Sequence, residues 1–207
     1  RSLTVPSMTV LALCGWILFL LLAFVLRSVM QYVTTGKTGF VGFHGRPLSL
    51  HWWGGALFVI ATIGCPLACL LDLWGLLKRC LLLSSQPFVI LALLAYGIGL
   101  LGTLWAQVAM GASWRIGVDL HAKTHLVTNG PFALVRNPIF SCMMVLAIGL
   151  SVLVPNLVSL LSVLALLVGL EIQVRLVEEP YLRSVHKDSY LDYAAKTGRF
   201  VPGLGKL

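Results

Sequence analysis

The sequence predicts an all-α membrane protein, a polytopic bundle of about five transmembrane helices. Three observations carry this reading. Of the 207 residues, 58% are apolar and only 11% charged, whereas a soluble domain carries about a quarter charged residues. Apolar stretches of the roughly 20 residues needed to cross a bilayer recur along the chain. The charged residues cluster around the ends of these stretches. The apolar fraction is too high for low-complexity disorder, and the length fits a single domain, 1–207. Its first part, 1–113, holds three spans, and its second, 114–207, holds a loop, a helical hairpin and a tail.

The first span runs from Val5 to Leu26 and ends at Arg27. Its apolar core resembles a signal peptide, but it lacks a charged run beyond Arg1 and a small-residue cleavage site, so it reads as a span. The second runs from Trp52 to Leu77, holds Pro66 and Asp72, and stops at Lys78-Arg79. The third opens at Pro87 and continues to Ser113. The fourth and fifth occupy Ile139 to Val177 and are separated by a tight turn at Pro155-Asn156. Each of these last two arms is short, which suits a tilted or partly buried hairpin.

Lys and Arg fall unequally on the two sides. Arg1, Lys78 and Arg79 lie on one side, and the other twelve of the fifteen lie on the opposite side. The positive-inside rule places the N-terminus outside and the C-terminus in the cytoplasm. The net charge of +8 is spread around span ends without a basic stripe interleaved with aromatics, so no nucleic-acid partner is expected. Attraction to anionic lipid accounts for it. The five cysteines, Cys14, Cys65, Cys69, Cys80 and Cys142, contain no Cys-x-x-Cys and no companion histidine, so no metal site is expected. Gly97-Ile98-Gly99 lies inside the third span, where close helix packing is the ordinary explanation.

Two pieces of chain on the cytoplasmic side carry nearly all the polar functional groups. The loop from Trp114 to Pro138 contributes Arg115, Asp119, His121, His125, Asn129, Arg136 and Asn137. The end of the fifth span and the tail contribute Glu171, Arg175, Glu178, Glu179 and several tyrosines. Glu171, Arg175 and Glu178 share a helix face by their spacing. An ionisable residue at the end of a span is a functional candidate, although a Glu171–Arg175 pair with Glu178-Glu179 at the water boundary explains them equally well. In the loop, Asn129-Gly130-Pro131 is a turn, and Arg136-Asn137-Pro138 leads into the fourth span with Asn137 placed to cap it. Free N–H groups at such a start form a polar cradle. Phe132 and Phe140 flank it, either to hold a flat or cationic ligand or to anchor the membrane interface.

The run His125-Leu126-Val127-Thr128-Asn129-Gly130-Pro131-Phe132, followed by Arg136-Asn137-Pro138-Ile139-Phe140, resembles the signature loop of the isoprenylcysteine carboxyl methyltransferase family. Glu178-Glu179, Tyr190-x-x-Tyr193 and Val201-Pro202 resemble that family's C-terminal pattern, and Ser113-Trp114-Arg115-Ile116-Gly117 resembles the segment preceding the loop in bacterial members. The likeness covers about the last hundred residues. Gly97-Ile98-Gly99 is similar to a glycine pair of the related phospholipid N-methyltransferases. The resemblance implies an integral membrane methyltransferase that uses S-adenosyl-L-methionine in a cytoplasmic pocket and takes a hydrophobic or prenylated acceptor from the bilayer. Carried over by position, His125, Leu126, Val127, Phe132, Asn137, Pro138, Ile139 and Phe140 would line the cofactor pocket. Glu178 and Glu179 would form its acidic wall. Arg175 and Glu178 would take catalytic roles, Arg175 orienting an anionic acceptor through its fork. The family's histidine is Asn137 here, two of its tyrosines are Phe132 and Phe140, and Ser141-Cys142 stands where a glycine often follows.

Methyl transfer from an activated sulfonium needs an in-line nucleophile held close. A carboxylate is its own nucleophile and needs no base, which ranks it above an amine as the acceptor. An amine, a thiol and a phenol stay open. So do an NADPH-dependent reductase of the sterol type, for which the Glu pair offers too little positive charge, and a non-catalytic membrane scaffold. The tail from Pro180 onward reads as an amphipathic piece covering the pocket at the headgroup level.

Overall fold

The computed structural model describes residues 5–42, 45–117 and 125–207; Arg1, Asp119, His121 and Lys123 lie outside them. α1 (Val5–Leu20) continues through a π-helical stretch (Leu21–Leu26) into α2 (Arg27–Thr35), making one long rod. α3 (Leu50–Leu73) and α4 (Gln86–Met110) follow, then α5 (Pro138–Leu153) and α6 (Leu157–Ile172). A second π-helical stretch (Gln173–Glu178) joins α6 to α7 (Glu179–Lys196). Four of these helical runs are long and apolar enough to cross a membrane, and α5 is a shorter apolar helix. The chain is therefore an integral membrane helical bundle.

The expected spans recur with shifted ends. The first helix does not stop at Arg27 but runs to Thr35, where Gly36 takes a left-handed conformation (φ 73°). Arg27 can stay inside the rod because it is not left facing lipid. It is 8% exposed, one Nη donates to the Gly111 carbonyl at 2.6 Å, and the guanidinium lies 4.9 Å from the Trp114 ring centre. The hairpin between α5 and α6 forms as the sequence suggests. Asn156 accepts from the Ser159 amide at 3.0 Å in a capping box, and its own amide donates to the Ala68 carbonyl of α3 at 3.1 Å.

Helix pairing rests on small residues, as expected where lipid supplies no hydrophobic drive between helices. α4 packs along α5, and α3 along α6. A Cβ on Gly99 would stand 2.6 Å from the Cys142 carbonyl, and one on Gly149 would stand 2.6 Å from the Ala92 carbonyl, so neither site admits even alanine without separation of the helices. The close-packing explanation of the Gly97–Gly99 triplet thus holds for Gly99, whereas Gly97 has open space around it. Between the pairs, Ala12, Phe19 and Ala23 of the first rod fill a core with Leu146 and Leu150 of α5. At one end of the bundle Asp72 is bound by Arg79 at 2.6 Å and by the Thr9 hydroxyl at 2.6 Å. That satisfies the acid expected in the second span.

The opposite end carries the loops. Phe40 and Ile116 form a bridge between two of them, with the Val41 amide donating to the Ile116 carbonyl at 2.9 Å. From Leu157 to Val177 the chain covers roughly 30 Å at helical rise, matching the hydrocarbon thickness. Glu178 and α7 lie beyond that length.

Candidate functional site

The site grows from the turn before α5. Gly130 has φ 57°, which lets the chain reverse into a short 3-10 turn (Gly130–Ala133) that buries Pro131 and Phe132. The chain then runs extended and pairs with the C-terminal segment. Val135 bridges Gly198, the Arg136 amide donates to the Gly198 carbonyl at 2.8 Å, and the Asn137 amide donates to the Arg199 carbonyl at 3.1 Å. Asn137 was expected to cap α5. It makes no side-chain cap; its side-chain Nδ2 donates to the Arg199 carbonyl at 3.2 Å. The Ser141 hydroxyl, at the position where the resemblance expects glycine, donates to the Phe200 carbonyl at 2.7 Å.

Arg136 is the hub of this clasp. Its side chain is 2% exposed, and it donates to the carbonyls of Ala194 (3.1 Å), Gly205 (2.9 Å) and Thr197. It also binds Glu179 at 2.8 Å. Arg199 completes the set, donating to the two carboxylate oxygens of Glu179 at 2.7 and 2.9 Å. The Tyr193 hydroxyl ties α7 to the turn through the Phe132 carbonyl at 2.5 Å. The tail is therefore fastened by directed hydrogen bonds and by burial of Tyr190 and Ala194. That holds it more specifically than an amphipathic piece resting on headgroups.

This arrangement separates two adjacent acids. Burial raises the Glu179 carboxyl, but its bonds to Arg199 and Arg136 and their charges outweigh that and hold it below the ordinary range. The bond to Glu179 in turn raises Arg199. Glu178 has no such cations. Burial pushes its carboxyl up to about 7, opposed by a hydrogen bond with Gln173 and reinforced by the neighbouring Glu179 charge. Glu179 is structurally committed, while Glu178 has no cation of its own among the described residues.

A cavity of about 230 Å³ opens between the loops, the helices and this clasp. His125, Leu126, Val127, Phe132, Asn137, Pro138, Ile139, Phe140, Glu178 and Glu179 all line it. The wall continues inward over Phe24, Phe58, Met143 and Leu170, which belong to four different helical runs. Arg175 is not in the lining. Its side chain is 54% exposed and paired with Glu171, the pairing that the four-residue spacing allows. Residues beyond the expected cofactor set also line the cavity, among them Gln107, Gln173, Tyr190 and Tyr193. The last two stood in the YxxY motif, but nothing in local sequence marked Gln107 or the role of Arg199. No group of three or more His, Cys, Asp or Glu side chains able to hold a metal occurs among the described residues.

The family match falls on the same region. The phospholipid methyltransferase family model matches residues 87–189, from the start of α4 into α7. The nickel-cobalt-cadmium resistance protein NccN of Alcaligenes xylosoxydans xylosoxydans is 32% identical over 108 residues, 52% of this chain and 49% of NccN. The chain thus spans about half the length of that relative. Through residues 87–189, which contain the turn, the hairpin and the Glu pair, the chain belongs to the phospholipid methyltransferase family.

Proposed function

We propose that the protein transfers a methyl group from S-adenosyl-L-methionine to a lipid-like acceptor at the cytosolic membrane face. The observation that carries this reading is one continuous cavity with a polar wall and an apolar wall. The loop and Glu178 form the first, and Phe24, Phe58, Met143 and Leu170 form the second. The residues present suit the cofactor. Phe132, Phe140 and Tyr190 offer ring faces to a purine or a cation, and Asn137 and Glu178 offer polar contacts beside them. When bound, the cofactor supplies an activated methyl group on a positively charged sulfur.

The chain's own residues bind and position. Ionised Glu178 balances positive charge in a site where burial weakens solvent screening. The Arg136–Glu179–Arg199 clasp holds the carbonyls and side chains of the turn in one geometry, which matters because in-line transfer depends on placement more than on covalent help. The apolar wall excludes water and receives the acceptor's hydrophobic part. The domain reading follows: the helices of 1–113 supply much of the acceptor side and 114–207 most of the cofactor side. The carboxylate acceptor suggested by the resemblance was to meet the fork of Arg175. With Arg175 turned away and paired with Glu171, that argument no longer favours a carboxylate.

The test is calorimetric titration of the purified protein with S-adenosylhomocysteine. Saturable binding that is weakened at least about tenfold by Glu178→Gln, with the variant still folded, supports the reading. Binding of NADPH in its place would move the protein to a reductase.

A further inference from the structure

The helix between α6 and α7 changes pitch at the cavity wall. Gln173–Glu178 is π-helical, and at its end the Glu179 amide donates to the Val174 carbonyl, five residues back. In a regular α-helix, residues five apart face different ways around the axis. A π-turn stacks them, and such turns are frequent at functional sites. Here Gln173 and Glu178 both line the cavity, while Arg175 between them is exposed and paired with Glu171. The start of the turn is held from behind. A Cβ on Gly54 of α3 would stand 3.1 Å from Ile172 Cγ2 and 3.2 Å from the Gln173 amide nitrogen, and one on Gly169 would stand 3.0 Å from the Gly54 carbonyl. α3 and α6 therefore meet backbone to backbone, which fixes where the Gln173 side chain begins. That side chain is hydrogen-bonded to the Glu178 carboxyl. An ionised carboxylate only accepts, so the Gln173 amide N–H donates. Among the other ionisable groups of the wall, Arg136 is bound to Glu179 and Tyr193 to the Phe132 carbonyl. Arg115, His125, Tyr181 and Tyr190 complete them. The charge that acts on Glu178 is that of Glu179, and it disfavours ionisation.

We infer that Gln173 is the positioning residue for Glu178: across one π-helical turn its amide N–H holds the carboxylate at the cavity wall and favours the ionised form. Gln173 thereby sets the pH above which the pocket carries a negative charge. This rests on the reading of Glu178 as the acid that meets the cofactor. A hydrogen bond to the charged form favours that form, and it is stronger than one between neutral groups. Gln173 acts through Glu178 and needs no contact with the cofactor or the acceptor.

The test follows 13C-labelled glutamate carboxyls by NMR across pH in the detergent-purified protein. The chain has three glutamates, Glu171, Glu178 and Glu179, so the Glu178 signal is the one missing from Glu178→Gln. Its midpoint, about 7 in the wild type, is expected to rise by about one pH unit in Gln173→Met, which keeps the length and removes the donor. Gln173→Lys keeps a donor and adds a positive charge, and should lower it. At pH 7, Gln173→Met should bind S-adenosyl-L-methionine about fivefold more weakly than wild type, and at pH 9 nearly as well. A merely structural Gln173 would leave the midpoint in place and lose affinity equally at both values. An unchanged midpoint in Gln173→Met, or a raised one in Gln173→Lys, would overturn the inference. In 15N-labelled wild type, one of the four glutamine side-chain amides should move with the Glu178 midpoint; if none moves, the inference fails without any variant. Titration with S-adenosylhomocysteine separates the two ideas. Silence there with a raised midpoint in Gln173→Met would sink the methyltransferase reading and leave the Gln173–Glu178 pair standing. Saturable binding with an unmoved midpoint would do the reverse.

Discussion

Replacing Glu179 by Gln should unfasten the C-terminal clasp, while the same change one residue earlier should not. Glu179 accepts from Arg136 at 2.8 Å and from Arg199 at 2.7 and 2.9 Å, and both arginines are at most 8% exposed. Glutamine keeps the shape but leaves two buried guanidinium groups facing a neutral amide. Removing one partner of such a buried set costs about 3–5 kcal/mol. At about 3 kcal/mol the locally opened population rises roughly a hundredfold. Trypsin reads this directly, because Lys196 and Arg199 lie in the segment that would open, and cleavage tracks the open population when reclosing is fast. Glu179→Gln is expected to be cut after these residues far faster than wild type. Glu178→Gln should be cut at the wild-type rate while losing affinity for S-adenosylhomocysteine. Equal cleavage of Glu179→Gln and wild type would refute the clasp. Equal acceleration in both variants would refute the division of labour between the two acids.

Other outcomes follow from the same geometry. The Glu178 carboxyl sits at about 7, above its ordinary 4.5, so ionising it works against the fold. Its contribution to stability is fully present below about pH 4.5 and is lost as pH rises through 7. A positively charged ligand favours the ionised form, so S-adenosyl-L-methionine should bind up to about tenfold more tightly at pH 8 than at pH 6. Glu178→Gln should flatten that dependence in titrations across this range. Gly149→Ala places a Cβ 2.6 Å from the Ala92 carbonyl and should cost about 1–3 kcal/mol by overpacking, seen as a lower Tm. Gly97→Ala, with nothing within 4 Å of its Cβ, should leave Tm unchanged. Arg175→Ala should change stability by less than about 1 kcal/mol and leave cofactor affinity as it was, since the side chain is exposed and lies outside the cavity. A tenfold loss of affinity in a binding titration would place Arg175 in the site after all.

The bundle was legible because lipid demands long apolar runs, and Pro155-Asn156 or Lys78-Arg79 mark where those runs end. The extension of the first helix to Thr35 was hidden. Arg27 reads locally as the end of a span, and only its distant partners, Trp114 and the Gly111 carbonyl, make it a buried link. The resemblance brought ten residues to one cavity wall because motif order survives divergence. It could not divide Glu178 from Glu179, since their difference comes from Arg136 and Arg199, 43 and 20 positions away. Helical spacing put Arg175 on a face with Glu178. The structure resolves that face differently, because the Glu171 carboxylate one turn back is within reach of the guanidinium. Gln107 carries no motif, and what fixes it in the cavity wall is a bond to Ala23, 84 residues earlier.

Under the proposed function, Glu178 is the uncommitted acid of a cofactor pocket. Calorimetric titration of the purified protein with S-adenosylhomocysteine at pH 8, alongside Glu178→Gln, tests it most directly. Saturable one-to-one binding in the wild type and a loss of at least about tenfold in the variant are expected. Absence of binding in folded wild-type protein, or equal affinity in both, would contradict it.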